Sequence, residues 1–148
     1  MNGKEKILIC KICDFLIGFE VKFINQVIQK KQVSINIKEG IVEVGGYIIP
    51  YLNIFKLFRC NENKSKFILL LNSEKENFAI SISKIFGIFQ VEPGKGTDVA
   101  DRLNKFFLKN YAKRVILFNE FPAVVIDTNK LIYSKVGKSR IEETGKGW

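Results

Sequence analysis

The stretch Gly40–Phe58, GIVEVGGYIIPYLNIFKLF, sets Gly45-Gly46 between two apolar, extended runs. Two adjacent residues that tolerate positive φ in that setting predict a tight β-hairpin. The second run, Tyr47–Leu52, leads to Asn53, whose side chain is expected to cap a short helix. Phe55, Leu57 and Phe58 would then turn that helix inward. Pro50 has no N–H to donate, so its strand is expected at a sheet edge or beside a bulge.

The flanking sequence carries the same β signature. Lys6–Ile12 is apolar on both faces and reads as a central strand. Phe15, Ile17, Phe19 and Val21 alternate with Leu16, Gly18, Glu20 and Lys22, which predicts a half-buried strand. Phe23–Gln29 reads as a helical turn leading into a strand, and Val33, Ile35 and Ile37 as a further extended piece. Phe67–Leu71 suits a strand buried on both faces, whereas Phe78, Ile80 and Ile82 alternate like a half-buried one. Ser83–Phe86 is read as a helical turn and Gly87–Glu92 as a strand. Val99, Leu103, Phe106, Phe107 and Tyr111 fall at helical spacing. Val115–Phe118 and Phe121–Ile126 are expected to pair through Asn119-Glu120, with Asp127 capping a helix over Asn129–Tyr133.

A chain of 148 residues suits one domain with a real core, here placed at residues 1–133 and divided into two halves near residues 61–65. The polar, basic tail 134–148 is expected to be flexible. No run approaches the roughly 18–20 apolar residues of a membrane span. The N-terminal apolar run lacks a small-residue cleavage site and reads as a first strand, so the expected location is the cytoplasm.

The net charge of +9 raises nucleic-acid binding. Yet the basic residues are spread along the chain, and Arg occurs only at 59, 102, 114 and 140. Phe106, Phe107, Lys109, Tyr111, Lys113 and Arg114 form the clearest aromatic–basic interleaving, and they define an alternative function, single-strand binding by a small basic β-barrel.

The absence of histidine removes the commonest general base and metal ligand. Cys10 and Cys13 make one C-x-x-C, and Cys60 is the third cysteine, so a zinc site would lack its fourth ligand. The cysteines therefore read as small buried hydrophobes in a reducing compartment. The Gly-rich piece at 93–98 lacks the G-x-x-x-x-G-K-S/T pattern. The carboxylates Glu39, Glu43, Glu92, Asp98, Asp101 and Asp127 show no spacing for joint acid/base work. No metal, cofactor, small-molecule substrate or catalytic role is expected.

A weak internal repeat is present. Leu52–Phe58 parallels Ile126–Ile132, each a strand end, an Asx cap and a helical turn. Phe19, Val21, Ile24 and Val27 parallel Ile80, Ile82, Ile85 and Ile88. Two half-domains of about five short strands each would produce both echoes.

The hairpin also resembles the signature of the CheW-like family, roughly G-I-I-N-L-R-G-R-V-I-P-V-I-D-L. Gly40, Ile41, Gly46, Ile49 and Pro50 match it directly, and Val42, Val44, Ile48, Leu52 and Ile54 match in kind. Ala79–Ile88 and Phe121–Leu131 resemble later segments of the family, so the likeness spans about Lys6–Tyr133. It implies a mainly-β fold of two small five-stranded SH3-like barrels on a shared core, with short helical turns and a C-terminal helix. It also places a strand near Phe106–Lys113. It implies a non-catalytic adaptor of a chemotaxis-type signalling complex, coupling receptors to a CheA-like histidine kinase. The partners would be that kinase and chemoreceptor cytoplasmic helices, with no direct insertion into the membrane that carries the receptor arrays. Val42, Val44, Gly45, Gly46, Tyr47 and Ile88 are the expected partner-binding residues.

The chain departs from the family pattern at the hairpin turn. Gly45 stands where the family has Arg, Tyr47 at its next Arg, Glu43 at its Asn, and Asn53 at its Asp before the helix. Ile82 and Ser83 replace a Val-Asp pair. Two glycines suit the turn, but a guanidinium offers a rigid fork of donors and glycine none. In the family that Arg lies at or near the receptor-docking surface, so its replacement bears on the partner more than on the fold.

Overall fold

The computed structural model describes residues 4–60, 65–74, 76–92 and 110–131. β1 (Glu5–Ile12) and β2 (Phe15–Glu20) form an antiparallel hairpin with Ile12 opposite Phe15. The tight turn between them places Cys13 in the left-handed region, at φ 57°. A 3-10 turn at Val21–Phe23 then carries the chain to β3 (Ile24–Gln29). β4 (Ser34–Asn36), β5 (Ile41–Val44) and β6 (Tyr47–Pro50) follow, and then α1 (Ile54–Phe58). After these come β7 (Phe67–Asn72), β8 (Asn77–Ile82), β9 (Lys84–Val91), β10 (Ala112–Phe118) and β11 (Phe121–Ile126).

The first unit is a five-stranded sheet in the order β10-β11-β2-β1-β9, with β11 parallel to β2 and the other pairs antiparallel. One face encloses Ile7, Ile9, Ile116, Ala123 and Val125. Gly18 leaves room for them: a Cβ there would lie 2.9 Å from Ile7 Cγ2 and 3.4 Å from Val125 Cγ2. The edge strands β9 and β10 meet through aromatic rings, with Phe118 5.6 Å from Phe86 and 4.9 Å from Phe89 between centroids.

The second unit packs two three-stranded sheets, β3-β7-β8 and β4-β5-β6, around Ile28, Val42, Tyr51, Ile68, Leu70 and Ala79. Tyr51 and Ala79 form a parallel bridge, and the Leu52 N–H donates to the Ala79 carbonyl at 2.9 Å, which links the two sheets. The larger shared core lies between the units. Leu8, Ile17 and Phe19 from β1 and β2 meet Ile54, Phe55 and Phe58 of α1 there, with Leu69, Phe78, Ile80 and Ile126.

The architecture is mainly β, with SH3-like sheets packed on a common core. The hydrogen-bonded ladders do not close into two five-stranded cylinders among the described residues. The first unit is joined at its seam by rings, and the second is six strands in two sheets.

The expected division near residues 61–65 does not separate these sheets. β7 and β8 come after it but pair with β3, while β1 and β2 share a sheet with β9–β11. Residues 61–64, 93–109 and 132–148 lie outside the described residues, as do the expected flexible tail and most of the segment read as helix or strand before β10.

Local expectations fare unevenly. β1 is central and β7 is buried on both faces, as its continuous apolar run predicts. β2 and β8 are also buried on both faces over most of their length, because each is covered by the shared core on one side and its own unit on the other. Ser83–Phe86 is not a helical turn. Lys84–Val91 is one strand with a bulge opposite Ile9 and Cys10, and Gly87 adopts φ 136° there. Asn53 does not cap α1 with its side chain, and its buried Oδ1 has no hydrogen-bond partner. Asp127 does cap, its Oδ1 accepting the Lys130 N–H at 3.2 Å before the helical residues 128–131.

Candidate functional site

The Gly45-Gly46 turn has φ of 54° and 86°, so both positions occupy the left-handed region that favours glycine. It closes β5 on β6 with Val44 opposite Tyr47 and Val42 opposite Ile49. β6 is the edge of its three-stranded sheet, and Pro50 sits there as its missing donor requires. Because side chains alternate across a strand, Val42 points into the second unit and Glu43 outward.

The expected partner-binding residues separate accordingly. Val42 is fully buried, so it belongs to the core and cannot touch a partner in the folded chain. Val44 is half-buried and packs against the same cluster. Gly45 and Gly46 are exposed at the turn, with nothing within 4 Å of a Cβ built on either. Tyr47 is 75% exposed. Ile88 is 56% exposed but lies on β9 in the other unit, so these residues form two surfaces and not one.

Sequence reading missed other exposed apolar side chains. Ile48 on β6 is 65% exposed, on the opposite face of the strand from Tyr47. In the first unit Leu117 and Phe121 are exposed, and Phe121 stands opposite Phe118 at the aromatic seam. The signal available was the Phe118–Phe121 pair flanking Asn119-Glu120, two turn residues that both adopt positive φ.

The aromatic–basic stretch is engaged within the fold where it is described. Tyr111 packs against the shared core. Lys113 Nζ lies 3.2 Å from both carboxylate oxygens of buried Glu20. Arg114 Nη2 lies 3.2 Å from Glu5 Oε2. Burial would raise the Glu5 carboxyl, but the Arg114 hydrogen bond and charge outweigh it and hold the group below its usual value, helped by Glu20 and Lys113. Phe106, Phe107 and Lys109 lie outside the described residues.

The cysteines also part company. Cys10 is buried, and burial pushes its thiol up. Cys13 and Cys60 are instead paired as a disulfide, with their Cα atoms 6.3 Å apart, so the reading of all three as reduced hydrophobes holds for Cys10 alone. Among the described residues no group of three or more His, Cys, Asp or Glu could hold a metal ion. No described helix is long and apolar enough to cross a membrane.

No family sequence model and no curated protein matches the chain. The solved structure of the scaffolding protein TtCheW from Thermoanaerobacter tengcongensis does match it, with a TM-score of 0.63 over 83% of this chain and 88% of that one. The two are 18% identical in sequence, and what they share is the CheW-like fold.

Proposed function

We propose that this chain is a non-catalytic adaptor of a chemotaxis-type signalling complex, coupling receptor helices to a CheA-like histidine kinase. The reading is supported by the CheW-like fold together with the hairpin resemblance at Gly40–Ile54. The observation that carries it is the separation of two exposed apolar anchors, Tyr47 on the hairpin of the second unit and Ile88 on β9 of the first. An adaptor must hold two partners at once, and one contiguous patch would make them compete. In such interfaces a few aromatic or aliphatic anchors dominate the energy. Tyr47 is the anchor assigned to the hairpin surface, where Gly45 offers no side chain. The protein would act in the cytoplasm, at membranes only through receptor arrays.

The test is co-purification of the tagged chain from its own cell. A CheA-like kinase in stoichiometric amount is expected, and it should be lost when Tyr47→Ala and Ile88→Asp are combined. Recovery of nucleic acid in place of a kinase would sink the adaptor reading while leaving the fold intact.

A further inference from the structure

Cys13 and Cys60 sit at the junction of the two units. Cys13 lies in the β1–β2 turn of the five-stranded sheet, and Cys60 follows α1, which continues from the hairpin of the second unit. Both are half-buried at the rim of the shared core, so small solutes can reach them. Their Cα separation of 6.3 Å is within the range a disulfide spans without backbone movement. A second contact lies alongside: Phe15, just after that turn, meets Phe58 of α1 edge-on at 5.6 Å. The Cys60 N–H donates to the Phe55 carbonyl at 3.0 Å, which holds Cys60 against the end of the helix. Cys10, three residues from Cys13, is sealed in the core and its thiolate is disfavoured.

We propose that Cys13 and Cys60 form a reversible, oxidant-sensitive tether between the two units, closed by a low-molecular-weight disulfide such as glutathione disulfide. One cysteine thiolate attacks the small disulfide and expels one thiolate, leaving a mixed disulfide. The second cysteine's thiolate attacks the first cysteine's own sulfur, forming the Cys13–Cys60 bond and breaking the mixed disulfide, and the second small thiolate leaves. The chain loses two protons and two electrons, and the small disulfide leaves as two thiols. When closed, the tether fixes α1, and with it the β5–β6 hairpin that leads into α1, against the β1–β2 turn. When open, α1 is held on that side by packing alone. This inference does not depend on the adaptor reading.

The full chain is equilibrated in glutathione buffers from reducing to oxidising and analysed by intact mass, non-reducing peptide mapping and thermal melting. The expected result is loss of the mass of two hydrogens, one Cys13–Cys60 linked peptide, and full reversal by excess reduced glutathione. Closing a loop of 47 residues should raise the melting temperature by roughly 10 °C. Cys13→Ser and Cys60→Ser should each retain one glutathione at the remaining partner and lose that shift. Cys10→Ser should behave as the parent. Two free thiols throughout, stable glutathione adducts on the parent, or a bridge through Cys10 would each overturn the pairing. A bridge that persists in reduced glutathione, or closes without a change in melting, would overturn the switch.

Discussion

The phenol oxygen of Tyr51 lies 2.7 Å from Ser81 Oγ, both side chains being buried. This hydrogen bond fastens the chain leaving β6 to β8, beside the Tyr51–Ala79 bridge, and so anchors the hairpin sheet on the second unit. Removing one hydroxyl takes a buried hydrogen-bond partner from the other. Tyr51→Phe should lower stability by about 1–3 kcal/mol, and Tyr51→Phe with Ser81→Ala should recover part of that loss. Urea midpoints of the two singles and the double check it, and simple additivity would show that the hydroxyls act independently.

Tyr47 and Val42 belong to one hairpin yet should fail in opposite ways. Tyr47→Ala is expected to weaken kinase or receptor binding by about 1–2 kcal/mol and leave the melting temperature nearly unchanged, since the ring is 75% exposed. Val42→Ala removes buried methyl groups and should cost about 1–3 kcal/mol of stability. Calorimetric binding and thermal melting on both variants separate the roles. A large loss of stability in Tyr47→Ala would remove it from the interface.

Gly18 is a packing position. Its φ is not in the left-handed region, so alanine is no backbone problem, but its Cβ would press on Ile7 Cγ2. Overpacking of this kind typically costs about 1–3 kcal/mol. Gly18→Ala should destabilise the chain, and its added cost should shrink in an Ile7→Leu background, where the Cγ2 branch is gone. A neutral or stabilising Gly18→Ala, measured by denaturant titration, would show that the first unit yields more readily than its close contacts suggest.

Glu5 links acid stability to Arg114. Its folded-state pKa lies below the usual value of 4.5, so the unfolded chain binds the proton more readily. The stabilising contribution is complete above that value and is lost as the pH falls through the lower folded one. Arg114→Met should therefore lower stability at neutral pH and flatten the decline as the pH falls below the usual carboxylate value. Chemical denaturation across that range is the measurement, and parallel curves for parent and variant would exclude the linkage.

Local patterns carried much of this protein. Gly45-Gly46 specified its turn because positive φ at two successive positions costs glycine little, and Pro50 specified an edge because it cannot donate. Asp127 specified its cap through a bond only three residues long. Of the two internal echoes, Phe19–Val27 and Ile80–Ile88 fall where the described chain passes between units, from β2 to β3 and from β8 to β9, whereas Leu52–Phe58 and Ile126–Ile132 differ at the cap, which Asp127 makes and Asn53 does not. What alternation could not reveal was which strands are covered twice. β2 and β8 present polar positions at Glu20 and Ser81, yet both are buried, because Lys113 lies 93 residues from Glu20 in sequence and Tyr51 lies 30 from Ser81. Sheet membership was hidden for the same reason. β1 and β2 find β9 and β11 across the whole length of the second unit, and only packing brings such distant strands together. Periodicity reports that a side chain is apolar, whereas long-range contacts determine whether Val42 meets a core and Tyr47 meets solvent.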